Sequence, residues 1–299
     1  MRAFAPRADI LVLGYAPPDA VPDLSRAGIT QTVFSAPFAE QLSNAARRAG
    51  VTLKVHLKVN GGMCRLGFSP SAIEEMRAVF SSENLTVCGL FTHYPLADTD
   101  AAATRRALAE FSLVRAKLPG GLFAHTAASA AALSCPEAVL DGARPGIALY
   151  GCAPVPTQIP LRPALRLFAP VVQIREVPAG TPVGYGGDFV TRRPSRIGTL
   201  PIGYADGLTR DLCGITGSLF HAGERFAAPL CGRVCMDYCM VDLTDTPAAV
   251  GDAVCVIDDV PAAAARRGTI PYEVLTAVSA RVGRRQKGES DALLRNEAK

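Results

Sequence analysis

The pattern of the chain changes near residue 163, and that change limits the fold more than any other feature. Before it, short apolar runs alternate with stretches of helical periodicity. After it, β-rich runs are broken by Gly and Pro. In the first half the runs predict strands at Ile10–Leu13, Thr32–Ser35, Val55–Val59, Cys88–His93, Leu122–His125 and Gly146–Tyr150. Helices are predicted between them at Pro37–Ala49, Ser71–Phe80, Ala101–Lys117 and Ser129–Leu133. The helix at Ser71 has a capping-box signature, Ser71 followed by Glu74. Apolar strands alternating with helices indicate a parallel sheet covered by helices. Two architectures remain, a β/α barrel and an open doubly wound sheet. The second half predicts strands at Val171–Val177, Arg196–Ile202, Arg233–Leu243 and Asp252–Ile257, with one late helix at Tyr272–Val282. The expected domains are therefore 1–163 and 164–299.

Polar residues help to choose between the two architectures. In the run from Val55 to Asn60, Val55, Leu57 and Val59 share one face of a strand, while His56, Lys58 and Asn60 share the other. A polar face on an otherwise buried strand suits the inside of a barrel near its mouth. Other strands end in the same way, at Thr92-His93, at His125-Thr126 and at Arg144 just before Gly146–Tyr150. In a β/α barrel, chemistry sits at these C-terminal strand ends. The count is smaller than a closed barrel needs: roughly six strands in about 160 residues, against eight in about 250. Either two units are missing at the N-terminus or the sheet is open.

Composition excludes several classes. With 49% hydrophobic and 19% charged residues over 299 positions, the chain is not disordered. A net charge of +4 without a dense basic run argues against nucleic acid as a partner. No apolar stretch approaches the ~18 residues of a membrane span, and the short N-terminal run makes a poor signal peptide. The nine cysteines are odd in number; Cys231, Cys235 and Cys239 stand four apart with no nearby histidine. That is neither a disulfide framework nor a zinc spacing, so reduced cytoplasmic thiols and no metal are expected.

Seven segments then occur in one order: VHLKVNGGMCRLGF (55–68), GLFTHYPLAD (89–98), HTAASAA (125–131), ARPGIALYG (143–151), GTLPIGYADGLTR (198–210), GRVCMDYCMVDL (232–243) and PYEVLTAVSARV (271–282). Together they resemble alanine racemase over essentially the whole chain. The resemblance implies a pyridoxal-phosphate (PLP) enzyme with a barrel followed by a mainly β domain, here an incomplete (β/α)8-type barrel. It also implies a homodimer with active sites shared between one subunit's barrel and the other's β domain. The expected product is D-alanine for peptidoglycan.

The chemistry accounts for the residue types. PLP is an electron sink that acidifies the α-proton of a bound amino acid. Racemisation takes that proton from one face and returns one to the other, which suits two bases. The resemblance makes Tyr204 one of them, with His93 and Arg144 in its supporting network, because a phenol with a pKa near ~10 needs help to act near neutrality. Arg144 resembles the residue facing the pyridine nitrogen; a guanidinium cannot give up a proton there, so the sink is moderated and transamination is disfavoured. Ser129, Gly146, Ile147 and Tyr272 are assigned to the phosphate. A hydroxyl at a helix start and glycine backbone N–H groups suit an anion, although Ser129 also reads as a plain helix cap. Arg65 and the Met236 backbone N–H resemble the contacts to the substrate carboxylate. Lys58 matches a lysine that is carbamylated in some relatives. His125 resembles a partner of Arg144 and also reads as a core histidine.

One part of the pattern has no match. The family carries its Schiff-base lysine near the N-terminus in a motif like Val-Val-Lys-Ala-Asn-Ala-Tyr-Gly, and none of Lys54, Lys58, Lys117, Lys287 and Lys299 corresponds to it. The expectation is an N-terminally truncated chain that racemises poorly by itself. Milder departures are Asn60-Gly61-Gly62-Met63 for Asp-Thr-Gly-Met, Ala128 for an asparagine, and Gly283 and Gln286 in the last motif. Alternatives are a serine-preferring racemase, a non-catalytic remnant that binds a partner, and a PLP decarboxylase of the same barrel class. Arg144 argues against the last, because its cofactor nitrogen normally meets a carboxylate.

Overall fold

The computed structural model describes residues 2–286 of the 299, so Lys287 and Lys299 lie outside the described residues. The chain divides into two compact units, Met1–Ala148 with Ala153–Pro160, and Leu149–Cys152 with Leu161–Lys299.

The first unit is a half-barrel of six parallel strands in sequential order. In chain order they are β1 (Ile10–Val12), β2 (Ile29–Val33), β3 (Leu53–Lys58), β4 (Leu85–Phe91), β5 (Phe123–Ala128) and β6 (Gly142–Arg144). The helices between them are α1 (Val21–Arg26), α2 (Ala36–Ala49), α3 (Ile73–Phe80), α4 (Ala101–Ala116) and α5 (Ser129–Ser134). Helix boundaries follow local chemistry. The Ser35 hydroxyl accepts from the Phe38 N–H at the start of α2, and Gly50 ends it in the left-handed region. Asp100 caps α4 in the same way. The alternation read in the sequence of β3 is real: Val55, Leu57 and Val59 are at most 2% exposed and pack with Leu42, Met76 and Phe111 of the helices. His56 and Lys58 occupy the opposite face.

The second unit is mainly β. Its strands are β7 (Leu167–Pro170), β8 (Gln173–Val177), β9 (Pro182–Val183), β10 (Phe189–Val190), β11 (Ser195–Leu200), β12 (Thr216–His221), β13 (Glu224–Pro229), β14 (Cys239–Asp242) and β15 (Ala253–Ile257). They form antiparallel sheets in the orders β14-β11-β8, β13-β12-β15-β7 and β10-β9. Two helices follow, α6 (Val260–Arg267) and α7 (Pro271–Ala277).

Several expected elements are corrected. Gly146–Tyr150 is not a strand: the strand is Gly142–Arg144, and Ile147–Tyr150 is a 3-10 turn. Pro145 lacks an N–H for the ladder, so pairing stops before it. The capping box at Ser71 does not form. Ser71 Oγ bonds Ser69 Oγ at 2.7 Å, Glu74 pairs with Arg77 at 2.8 Å, and α3 starts at Ile73. Arg233–Leu243 is a strand only from Cys239 to Asp242, and Val171–Val177 is a strand only from Gln173, with β7 ending before it at Pro170. The late helix ends at Ala277 rather than Val282. Helices α1 and α6 and the β12–β13 hairpin carry no strong periodic signal and were not expected. None of the nine cysteines forms a disulfide. No helix among the described residues is long and apolar enough to cross a membrane.

Candidate active site

In the half-barrel the polar strand ends converge on one mouth. At its centre is Arg144, on the last residue of β6. Its Nη1 donates to the His125 carbonyl at 2.8 Å and reaches His125 Nδ1 at 2.7 Å. Its Nη2 donates to the carbonyls of Thr92 at 2.7 Å and Thr126 at 3.0 Å. The guanidinium also lies over the Phe91 ring, 5.3 Å from its centroid. All of these partners are neutral. Burial lowers the Arg144 pKa to about 10, which leaves it a cation at neutrality. Lys58 shares the same ring from 5.5 Å. It is 6% exposed, and its pKa is lowered first by burial and then by Arg65 and Arg144. No carboxylate makes an ion pair with Lys58, Arg65 or Arg144 among the described residues. A cationic mouth without acids suits an anionic occupant.

The three histidines here are all poor bases. His93, just past β4, is lowered to about 4 by burial and then by Arg144, Arg65 and Lys58. His125 is lowered to about 3 by burial, then Arg144 and His56. His56 is lowered to about 4 by burial. The sequence reading placed His56 on the polar face but gave it no role. Its Nδ1 lies 3.0 Å from His125 Nε2; the strand alternation was the only signal that could have pointed to it.

A second group forms at the start of α5. Ser129 is buried, and its Oγ accepts from the Ala148 N–H at 3.2 Å, so its hydroxyl proton is left to donate elsewhere. Gly146 and Ile147 precede Ala148 directly. A Cβ at Gly146 would meet nothing within 4 Å, so the space beside that backbone is open. The structure thus brings together Ser129 and the Gly146–Ala148 backbone.

Arg65 sits on an exposed loop closed at its base by Phe68 N–H to Lys58 carbonyl (2.8 Å) and Asn60 N–H to Phe68 carbonyl (2.9 Å). Within the loop, Asn60 Oδ1 accepts from the N–H groups of Gly62 (3.2 Å) and Cys64 (3.1 Å). Gly61, where the resemblance has threonine, packs tightly: a Cβ there would lie 2.5 Å from both the His93 carbonyl oxygen and Thr92 Oγ1.

The second unit gathers another set. Tyr204 opens a 3-10 turn after β11. Its N–H donates to the Cys235 carbonyl, and the Ala205 N–H donates to the Met236 carbonyl, both at 3.0 Å. Gly203 makes this approach feasible, since a Cβ there would lie 2.3 Å from the Cys235 and Met236 oxygens. Gly207, at φ +106°, lies against the end of α7 with equal closeness. Arg281 binds Asp237 at 2.9 Å and Asp206 at 3.3 Å, tying the three segments. Tyr204, Met236 and Tyr272 are all near half exposed, at 46%, 54% and 47%. Tyr204 and Met236 are therefore brought together, and Tyr272 stands in the first turn of α7, whose end lies against Gly207.

Comparisons with known proteins agree along the chain. Residues 1–154 match the family described as alanine racemase, N-terminal domain, and residues 164–286 match alanine racemase, C-terminal domain. An alanine racemase of Desulfovibrio desulfuricans is 43% identical, over 95% of this chain and 80% of its own length. A solved alanine racemase of Clostridium difficile 630 is similar with TM-score 0.84 at 34% identity, covering 94% of this chain and 77% of that one. Another, from Bartonella henselae with covalently bound pyridoxal phosphate, has TM-score 0.79 at 29% identity, covering 92% and 77%.

Proposed function

Because the chain belongs to the alanine racemase family, we propose that it interconverts L-alanine and D-alanine with pyridoxal 5′-phosphate, Tyr204 moving the α-proton on one face of the substrate. The observation that carries this reading is the setting of Arg144, a cation held by four neutral acceptors. When bound, the cofactor supplies an electron sink that acidifies the α-proton. Arg144 would face the ring nitrogen and keep it unprotonated, which moderates that sink. A barrel decarboxylase would need a carboxylate at this point.

The donor set fits the rest of the cofactor. Ser129, the Gly146 and Ile147 N–H groups and Tyr272 would hold the phosphate, with open space beside Gly146. Arg65 and the Met236 N–H would bind the substrate carboxylate. His125 orients Arg144, and His93 joins Arg144 in the network that supports Tyr204. The exposed Tyr204, Met236 and Tyr272 support a homodimer in which a partner subunit covers them. The unbridged thiols support a cytoplasmic setting, where D-alanine would feed peptidoglycan.

Lys58 is our candidate for carbamylation. Burial, then Arg65 and Arg144, lower its pKa; the unprotonated amine would attack CO2, forming a C–N bond as one C–O π bond breaks, the amine proton would leave to solvent, and the carbamate anion would gain Arg65 and Arg144 as partners. Intact-protein mass measured in bicarbonate buffer is expected to show one added CO2, absent in Lys58→Ala. An unchanged mass in bicarbonate rejects the modification.

The second base and the cofactor tether have no match among the chain's five lysines, so we infer that these 299 residues alone turn over poorly. The test assays L-alanine and L-serine with the chain as it stands and joined to a segment bearing Val-Val-Lys-Ala-Asn-Ala-Tyr-Gly. We expect racemisation with kcat of roughly 1–10³ s⁻¹ only in the joined form. Alanine is expected to be preferred, because Tyr272 is bulky beside the phosphate site. Turnover at that rate by the chain alone defeats the two-base assignment. No turnover in the joined form, with cofactor bound, favours a non-catalytic remnant.

A further inference from the structure

We propose that His56 is a positioning residue, the terminal acceptor of a one-way hydrogen-bond relay that fixes the tautomer of His125 and, through it, the orientation of Arg144. The direction follows from counting protons. A guanidinium has donors only. Arg144 Nη1 lies 2.7 Å from His125 Nδ1, so Nδ1 must accept. A neutral imidazole carries one ring proton, which His125 therefore holds on Nε2. That atom is 3.0 Å from His56 Nδ1, so His125 donates, His56 accepts, and the proton of His56 sits on its own Nε2. The reverse direction would require His125 to accept at both nitrogens, as an imidazolate.

Strand β4 builds the seat for both rings. Phe91 stacks on His125 with centroids 4.8 Å apart and planes 8° from parallel. Two residues earlier on the same face, Gly89 leaves room for His56: a Cβ there would lie 2.3 Å from one ring carbon of His56 and 2.4 and 2.5 Å from its nitrogens. Glycine is thus required because the imidazole occupies the place of a side chain. The titratable and charged groups around the relay are Lys58 on β3, His93 and Tyr94 after β4, Arg144 on β6 and Arg65 on the loop after β3. None is a carboxylate. A proton added to His125 would point at the guanidinium, and one added to His56 would oppose the His125 N–H, so the relay exists only with both rings neutral.

The relay is a property of the folded chain; only the role of Arg144 at the cofactor rests on the proposed function. The test is therefore made without cofactor, on the full chain labelled with 15N-histidine, which contains four histidines. Long-range proton–nitrogen correlation at neutral pH is expected to show His56 and His125 both as the Nε2–H tautomer, the His125 ring proton exchanging slowly. His56→Asn, whose amide oxygen can take the place of Nδ1, is expected to keep that slow exchange. His56→Phe is expected to speed it by about tenfold. Gly89→Ala, which displaces the ring but leaves both histidines in the chain, is expected to do the same. A His125 proton on Nδ1 in the unsubstituted chain, or equal exchange in all three variants, overturns the relay. The expected spectra together with no racemisation by the joined form would instead leave the relay standing and remove the proposed function.

Discussion

Replacing Tyr204 by phenylalanine is expected to slow alanine racemisation by roughly 10²–10⁴-fold, the usual contribution of a positioned general acid or base. The assay uses the joined form described above, with the unsubstituted enzyme beside it. The substitution removes only the phenolic oxygen. The backbone bonds from the Tyr204 and Ala205 N–H groups to Cys235 and Met236 remain, so the turn is kept and the substrate carboxylate contact proposed at Met236 is preserved. KM is expected to change little while kcat falls, the pattern of an interaction made only in the transition state. The exposed position of Tyr204 makes a large loss of stability implausible as an explanation. A mutant with kcat within a few-fold of the parent would remove Tyr204 from the proton path.

Acid is expected to unfold the half-barrel well before the usual carboxylate range. His56, His93 and His125 are held near 4, 4 and 3, chiefly by burial. In the unfolded chain each titrates near ~6.5. Between those values the unfolded state binds more protons than the folded one, so stability falls as the pH falls. The contribution is fully present above ~6.5, is lost progressively below it, and stops changing only below the folded values. One pKa unit corresponds to about 1.4 kcal/mol; discounted for the solvent screening of these partly exposed rings, the three histidines together put the loss on the order of a few kcal/mol, a sizeable share of a typical domain's stability. Denaturant titrations at a series of pH values from 7 to 4.5 measure it. Stability that stays flat across this range would show that the histidines are not held neutral. His125→Phe, which removes one of these groups, is expected to flatten the slope.

The parts of this molecule that were legible in the sequence are those where one strand carries its own contrast. His56, Lys58 and Asn60 alternate with Val55, Leu57 and Val59, and that pattern gave both the buried face and the mouth. Arg144 was legible as a site residue but was read as preceding its strand rather than ending it, because the apolar run after Pro145 looked more like a strand than Gly-Ala-Arg does. The role of His56 was not legible, since its partner His125 lies 69 positions away and only the parallel sheet brings the two rings together. The β12–β13 hairpin was missed for a local reason. Its turn rests on Ala222 and Gly223 at positive φ, with no Asn-Gly or Asp-Gly pair to announce it. The motifs of the second unit, in contrast, mark backbone crossings: Gly203 and Gly207 are needed because carbonyl oxygens occupy the space of their side chains.

The turn at Asn60 explains why one departure from the family pattern is mild. Its side-chain oxygen serves two N–H groups, a task an aspartate oxygen performs equally well. For those two bonds amide and acid are interchangeable; the amide differs in carrying no charge and in its Nδ2, which donates to Cys64 Sγ at 4.0 Å. With the amide, the neighbourhood of Arg65 keeps its full attraction for an incoming carboxylate, undiluted by a competing anion fixed in the protein itself.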